Sequence, residues 1–109
     1  MWNIVFYIDH RGKCPPLEFI NKLPVMDQAK NRNALRLLQE FGPSLNSPHV
    51  KQIKGKLWEL QPGGIRLFYF AHIDNQFVIL HGYRKQIQKA LDREIETALR
   101  RMYELLNEV

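Results

Sequence analysis

The sequence predicts an α+β domain of order β-α-α-β-β-β-α, with helices packed on an antiparallel sheet. Three observations predict it. Near the C-terminus, Leu91, Ile95, Ala98, Leu99, Met102 and Leu106 recur at helical spacing. Ahead of them, three runs rich in aromatic and β-branched residues are separated by the turn signals Pro62-Gly63 and Asp74-Asn75. Before those runs, proline and glycine punctuate two further helical patterns.

Residues 3 to 9 alternate loosely and are rich in aromatic and β-branched side chains, so they read as a strand rather than a signal peptide. Residues 10 to 14 form a polar turn. Pro15-Pro16 suits a helix start, because proline is tolerated in the first turn, and Leu17, Ile20 and Leu23 give that helix an apolar stripe. Pro24 interrupts the pattern. A second helix spans residues 26 to 41 on Ala34, Leu37, Leu38 and Phe41, and Gly42-Pro43 ends it. Residues 44 to 50 read as a loop, followed by a basic loop through Lys56. Strands are expected at 56 to 61, 65 to 71 and 76 to 83, joined as antiparallel hairpins. The last helix is expected from Ala90 to Asn107.

A chain of 109 residues is enough for one domain with one modest core, residues 1–109. Hydrophobic residues make up 45% and charged residues 25%, an ordinary globular balance that argues against disorder. No apolar run approaches the ~20 residues of a membrane span, so no membrane association is expected. The lone Cys14 cannot form an internal disulfide, which fits a cytoplasmic protein. Neither a P-loop nor a Gly-x-Gly-x-x-Gly string occurs, and the four histidines lack metal-ligand spacing, so neither cofactor nor metal is expected.

The net charge is +5, and its location carries more information than its size. From His49 to Lys89 there are seven basic residues, Lys51, Lys54, Lys56, Arg66, Arg84, Lys85 and Lys89, against only Glu59 and Asp74. Elsewhere nine basic residues balance nine acidic ones. An excess confined to one segment is the footprint of a polyanion-binding face. The plainer alternative is a solvated, solubilising face.

With two-residue turns at Pro62-Gly63 and Asp74-Asn75, Glu59 lies opposite Arg66, Phe68 opposite His81, and Arg66 opposite Tyr83. Directly opposed residues share a face. One face then carries Glu59, Arg66, Phe68, Phe70, Ile79, His81 and Tyr83, joined by Lys85 if the strand continues. The other carries Trp58, Leu60, Ile65, Leu67, Tyr69, Val78 and Leu80. A bulge at Gly64 would instead set Leu60 opposite Arg66; a uniformly apolar second face favours the first register.

Glu59, Arg66, Tyr83 and Lys85 therefore converge. Arg66 can clamp a phosphate through paired donors or simply hold Glu59. Arg84 and Lys85 can bind phosphate or stabilise a pentavalent transition state. His81 and Tyr83 can move protons or stack on a base, although a histidine on a half-apolar face is commonly a bonded core residue. Glu59 can serve as a base or as a structural partner. Lys51, Lys54 and Lys56 can track a nucleic-acid backbone. Cys14 has only His10 near it in sequence and is a poor candidate nucleophile.

Three strings, Lys51-Gln52-Ile53-Lys54-Gly55-Lys56-Leu57-Trp58-Glu59-Leu60, Gly64-Ile65-Arg66-Leu67-Phe68-Tyr69-Phe70 and Leu80-His81-Gly82-Tyr83-Arg84-Lys85, resemble the phage-derived, HigB-like branch of the RelE/ParE toxin superfamily. The resemblance implies a RelE-like fold and the toxin of a type II toxin–antitoxin pair. It implies a metal-independent endoribonuclease that cuts mRNA on the ribosome, where the RNA's own 2′-hydroxyl attacks the adjacent phosphate. Arg66 matches the family's strand arginine, and Arg84 or Lys85 its basic residue after the last strand. Lys51, Lys54, Lys56, Arg84 and Lys89 are then expected to bind RNA. The implied partner is a cognate antitoxin, a small helix-turn-helix protein, with operator DNA engaged only through their complex.

The chain also departs from the family. RelE carries lysines on the first hairpin strand where this sequence has Leu57 and Glu59, which turns attention to Glu59, His81 and the loop lysines as bases. Relatives commonly have Lys-Thr-Pro before the last helix. Here Lys89-Ala90-Leu91 lacks the threonine cap, typically worth about 1 kcal/mol, and leaves Asp92 as the next candidate cap. Two other readings follow from the same resemblance: a ParE-like, non-enzymatic DNA gyrase inhibitor, and a degenerate member that only binds its antitoxin as a regulator.

Overall fold

The computed structural model describes residues 1–87 and 90–107. Its elements are strand β1 (Asn3–Phe6), helices α1 (Pro15–Asn21) and α2 (Val25–Phe41), a short 3-10 turn (Gly42–Ser44), strands β2 (Val50–Lys54), β3 (Leu57–Leu60), β4 (Ile65–His72) and β5 (Gln76–Arg84), and helix α3 (Asp92–Leu106). They form one five-stranded sheet in the order β1-β5-β4-β3-β2. The α+β class and the expected elements hold, with one strand added. Residues 51 to 54 are not loop but edge strand β2. Val50 and Ile53 face inward there, and lysines on the rim suit an edge because they discourage pairing with another chain.

The sheet is mixed rather than wholly antiparallel. β1 runs parallel to β5, with Ile4 beside Phe77 and Phe6 beside Ile79. Parallel neighbours need a long crossover, and everything from α1 to β4 supplies it. The β3–β4 loop is longer than expected: Leu60 lies opposite Leu67 and Glu59 opposite Phe68. Gly63 takes φ +61° and the Ile65 N–H donates to the Pro62 carbonyl at 3.1 Å. The pairing is thus shifted by two from the expected register. Because side chains alternate with period two, Glu59 keeps the same face as Arg66 and lies diagonal to it.

In the β4–β5 hairpin, Arg66 lies opposite Tyr83 and Phe68 opposite His81, as expected. The next pair is Tyr69 with Ile79, so Leu80 is an extra residue on β5. Such a bulge sets two residues against one and reverses the alternation beyond it. The expected face assignment fails at that point. Ile79 packs toward α1 and α2, while Val78 and Leu80 lie beneath α3. At the turn, Asp74 and Asn75 both take positive φ (54° and 57°), a conformation these residue types tolerate.

Two cores flank the sheet. One, under α1 and α2, gathers Ile20, Leu38, Leu60, Leu67, Tyr69 and Ile79. The other, under α3, gathers Leu57, Phe68, Phe70, Leu80, Ala98 and Met102. The α3 stripe is the expected one. The α1 and α2 stripes hold in part: Leu17 and Phe41 face solvent, whereas Asn31 is sealed in the α2 interface. Asp92 does not cap α3. Leu91 occupies the N-cap position without a side-chain cap, and Asp92 sits in the first turn with Glu94, where negative charge favours the helix dipole.

Candidate active site

The strand residues singled out in the sequence meet on the α3 side of the sheet. Glu59 and Arg66 are only 4% and 9% exposed, and both are polar side chains placed by strand alternation among apolar ones. A buried polar group must be hydrogen-bonded to be tolerated, and each is. The Tyr83 hydroxyl donates to Glu59 Oε2 at 2.7 Å, and Gln61 Nε2 donates to Glu59 Oε1 at 3.1 Å. Arg66 Nε lies 3.8 Å from the same Oε1. Arg66 Nη1 donates to the carbonyls of Gly63 (2.7 Å) and Ile65 (2.8 Å), so the glycine turn orients the guanidinium.

Burial, followed by the bond to Glu59 and its charge, pushes the Tyr83 phenol well above its ordinary value. Tyr83 therefore stays protonated at neutral pH and acts as a donor. The Lys85 N–H donates to the Gly64 carbonyl at 2.9 Å, which extends the pairing past Arg84. Lys51 pairs across β2–β3 with Glu59. Lys51, Glu59, Gln61, Arg66, Tyr83 and Lys85 all line one open cavity of about 260 Å³, with Ile53, Ile87 and Ala90 completing its wall. The result is a buried carboxylate, held by two neutral donors, among three cations.

Other candidate residues lie elsewhere. His81 does not reach this cavity. Its Nε2 is 2.8 Å from Glu94 Oε1, and Arg101 Nη1, which donates to the Leu80 carbonyl at 2.8 Å, lies 3.5 Å from His81 Nδ1. Burial pushes the His81 pKa down, against the pull of Glu94. Arg84 projects to the opposite face and bonds Asp27 of α2 at 3.1 Å. Lys54 is exposed at the far end of β2, and Lys56 lines a different cleft. Lys89 lies outside the described residues. Gln61 was missed by sequence reasoning, although it ends the expected strand 56 to 61 two positions beyond Glu59, where alternation puts it on the same face. Among the described residues, no group of three or more His, Cys, Asp or Glu side chains is gathered to hold a metal, and no helix is long and apolar enough to cross a membrane.

This sheet order, with two helices on one face and a terminal helix on the other, defines a RelE-like fold. The crystal structure of the isolated E. coli RelE toxin matches with a TM-score of 0.50 at 18% identity, covering 92% of this chain and 98% of that one, a likeness of fold. No curated protein matches. The model of the family described as Phage derived protein Gp49-like (DUF891) matches residues 18–103, and the chain belongs to that family, a RelE-like toxin family.

Proposed function

We propose that the protein is the toxin of a type II toxin–antitoxin pair and a metal-independent endoribonuclease that cleaves mRNA in the cavity lined by Lys51, Glu59, Arg66, Tyr83 and Lys85. The observation that carries the reading is the convergence of Lys51, Arg66 and Lys85 around the buried Glu59 carboxylate. Three cations supply the charge that a dianionic phosphorane requires. Glu59 takes the proton of the 2′-hydroxyl as its oxygen bonds to phosphorus. The P–O5′ bond breaks, and the departing oxygen receives a proton from the Lys85 ammonium. The products are a 2′,3′-cyclic phosphate and a free 5′-hydroxyl. Tyr83 and Gln61 hold Glu59 in place, and Arg66 neutralises the phosphate oxygens. Such positioned acid–base groups typically supply about 10²–10⁴-fold each.

The HigB-like strings quoted above support cytoplasmic action on ribosome-bound message. They also support a neighbouring helix-turn-helix antitoxin and operator binding through the complex only. The test is induction in growing cells and cleavage of mRNA by purified protein with ribosomes. Translation stops first, and 3′ fragments carry 5′-hydroxyl ends. Glu59→Gln and Lys85→Ala abolish both effects while thermal unfolding shows that they fold. Site-specific cuts that fail to appear, together with growth arrest that survives Arg66→Ala, sink the reading. A change in DNA supercoiling before translation slows identifies ParE-like gyrase inhibition instead.

A further inference from the structure

On the opposite side of the sheet lies a larger cleft, about 420 Å³. Its floor is aromatic: Trp58, Tyr69 and Phe77 come from the neighbouring strands β3, β4 and β5. The 3-10 turn, through Pro43 and Leu45, makes one wall, and the Gly55-Lys56 turn makes the other. The first wall is fixed. Trp2 stacks on Phe77 at 4.6 Å and lies so close to Gly42 that an added Cβ would sit 2.4 Å from its Nε1.

Three features describe what this cleft accepts. Tyr69 is 4% exposed, and burial is the sole cause acting on its phenol, which bonds no described residue. It is also not a sealed atom, since the single sealed and unpartnered side-chain polar atom among the described residues is Asn31 Oδ1. Tyr69 lines the cleft. Secondly, no Asp or Glu among the described residues lines the cleft, whereas Lys56 does; Lys54, opposite Leu57, belongs to the α3 side of the sheet. Thirdly, large apolar side chains close in sequence to the cleft's residues are exposed. Phe41, beside Gly42, is 49% exposed, and Ile73, two residues beyond Ala71 of the cleft, is 63% exposed.

An aromatic cleft takes a bulky apolar side chain, and Lys56 at its rim, with no acidic side chain in the lining, favours a carboxylate beside that side chain. The exposed Phe41 and Ile73 favour a polypeptide over a small ligand as the occupant. We propose that this cleft is a docking site for an acidic segment of a partner protein, which inserts a bulky apolar side chain over Trp58, Tyr69 and Phe77. The proposal is independent of the nuclease reading, because the two cavities lie on opposite faces of the sheet and share no residue.

The probe is an acetylated, fluorescein-labelled peptide of alternating glutamate and leucine, followed by anisotropy with the full chain. Saturable 1:1 binding is expected, with a lysine–leucine peptide binding more weakly. Lys56→Glu, on an exposed turn, weakens the glutamate peptide about tenfold and strengthens the lysine peptide, with circular dichroism matching that of the parent chain. Ala71→Trp fills the cleft and abolishes binding, while its circular dichroism matches that of the parent chain. The proposal is overturned by absence of saturable binding, or by binding indifferent to both substitutions. It is equally overturned by 2-naphthoate binding as tightly as the peptide, which assigns a small ligand. Self-association that Ala71→Trp dissolves overturns it too, since a second copy is then the occupant.

Discussion

At Tyr83, burial and the neighbouring Glu59 both favour the neutral phenol, and its hydroxyl is one of two neutral donors holding that carboxylate. Tyr83→Phe leaves the ring contacts with Phe68 in place and removes one bond to a buried acid. Stability should fall by about 1–3 kcal/mol, measured by denaturant unfolding, and RNA cleavage should fall through kcat more than KM. His81 makes a different prediction. Its folded pKa lies below the ordinary value of 6.5, with burial as the main cause. As pH falls through 6.5, the unfolded chain binds a proton that the folded one resists. Stability is therefore full above about pH 6.5, declines as pH drops toward the depressed pKa, and levels off below it. Thermal unfolding from pH 7.5 to 5 should show this decline, and His81→Gln should flatten it. A cleavage rate whose pH profile shifts in the same variant would instead place His81 in the chemistry.

Strand β5 links these residues to the packing of α1. Gly82 sits where a Cβ would come within 2.6 Å of Phe19 and 2.9 Å of Leu67. Gly82→Ala should cost about 1–3 kcal/mol through overpacking, read as a lowered unfolding midpoint. The same strand contains the bulge at Leu80 that the sequence did not reveal. Alternation from Gln76 to Tyr83 looks unbroken on paper, because Val78, Ile79 and Leu80 are all apolar and any of them can face either core. Arg66, Phe68, His81 and Tyr83 were read correctly because they lie on the far side of the bulge from the turn. Edge strand β2 was hidden by its lysines, which look like loop residues until a neighbouring strand supplies hydrogen bonds. Helix α3 was the easiest element to read, since its apolar stripe meets a single sheet face and nothing competes with it.

Across the whole molecule, the excess of positive charge in the 49–89 segment divides between two faces. Lys51 and Lys85 border the polar cavity, Lys56 borders the aromatic cleft, and Arg84 is tied to Asp27 on α2. RNA binding should reflect that division. With a non-cleavable 2′-deoxy substrate, Lys51→Ala combined with Lys85→Ala should weaken binding and lower the salt slope by about 0.7 per lost phosphate contact. The Lys54→Ala, Lys56→Ala pair should leave that slope nearly unchanged. Fluorescence titration at several salt concentrations separates the two cases.

The sequence by itself determined the α+β class, the order of the elements other than β2, the amphipathic last helix and the shared face of Glu59, Arg66, Tyr83 and Lys85. Those follow from local periodicity and turn chemistry, which each segment carries within itself, and a register error of two leaves the faces intact. Tertiary structure alone decided that β1 runs parallel to β5, that Leu80 bulges, that His81 is taken by Glu94, and which lysines reach the cavity. Each of these depends on a partner distant in sequence, and the pattern of a single segment does not record what will be packed or hydrogen-bonded against it.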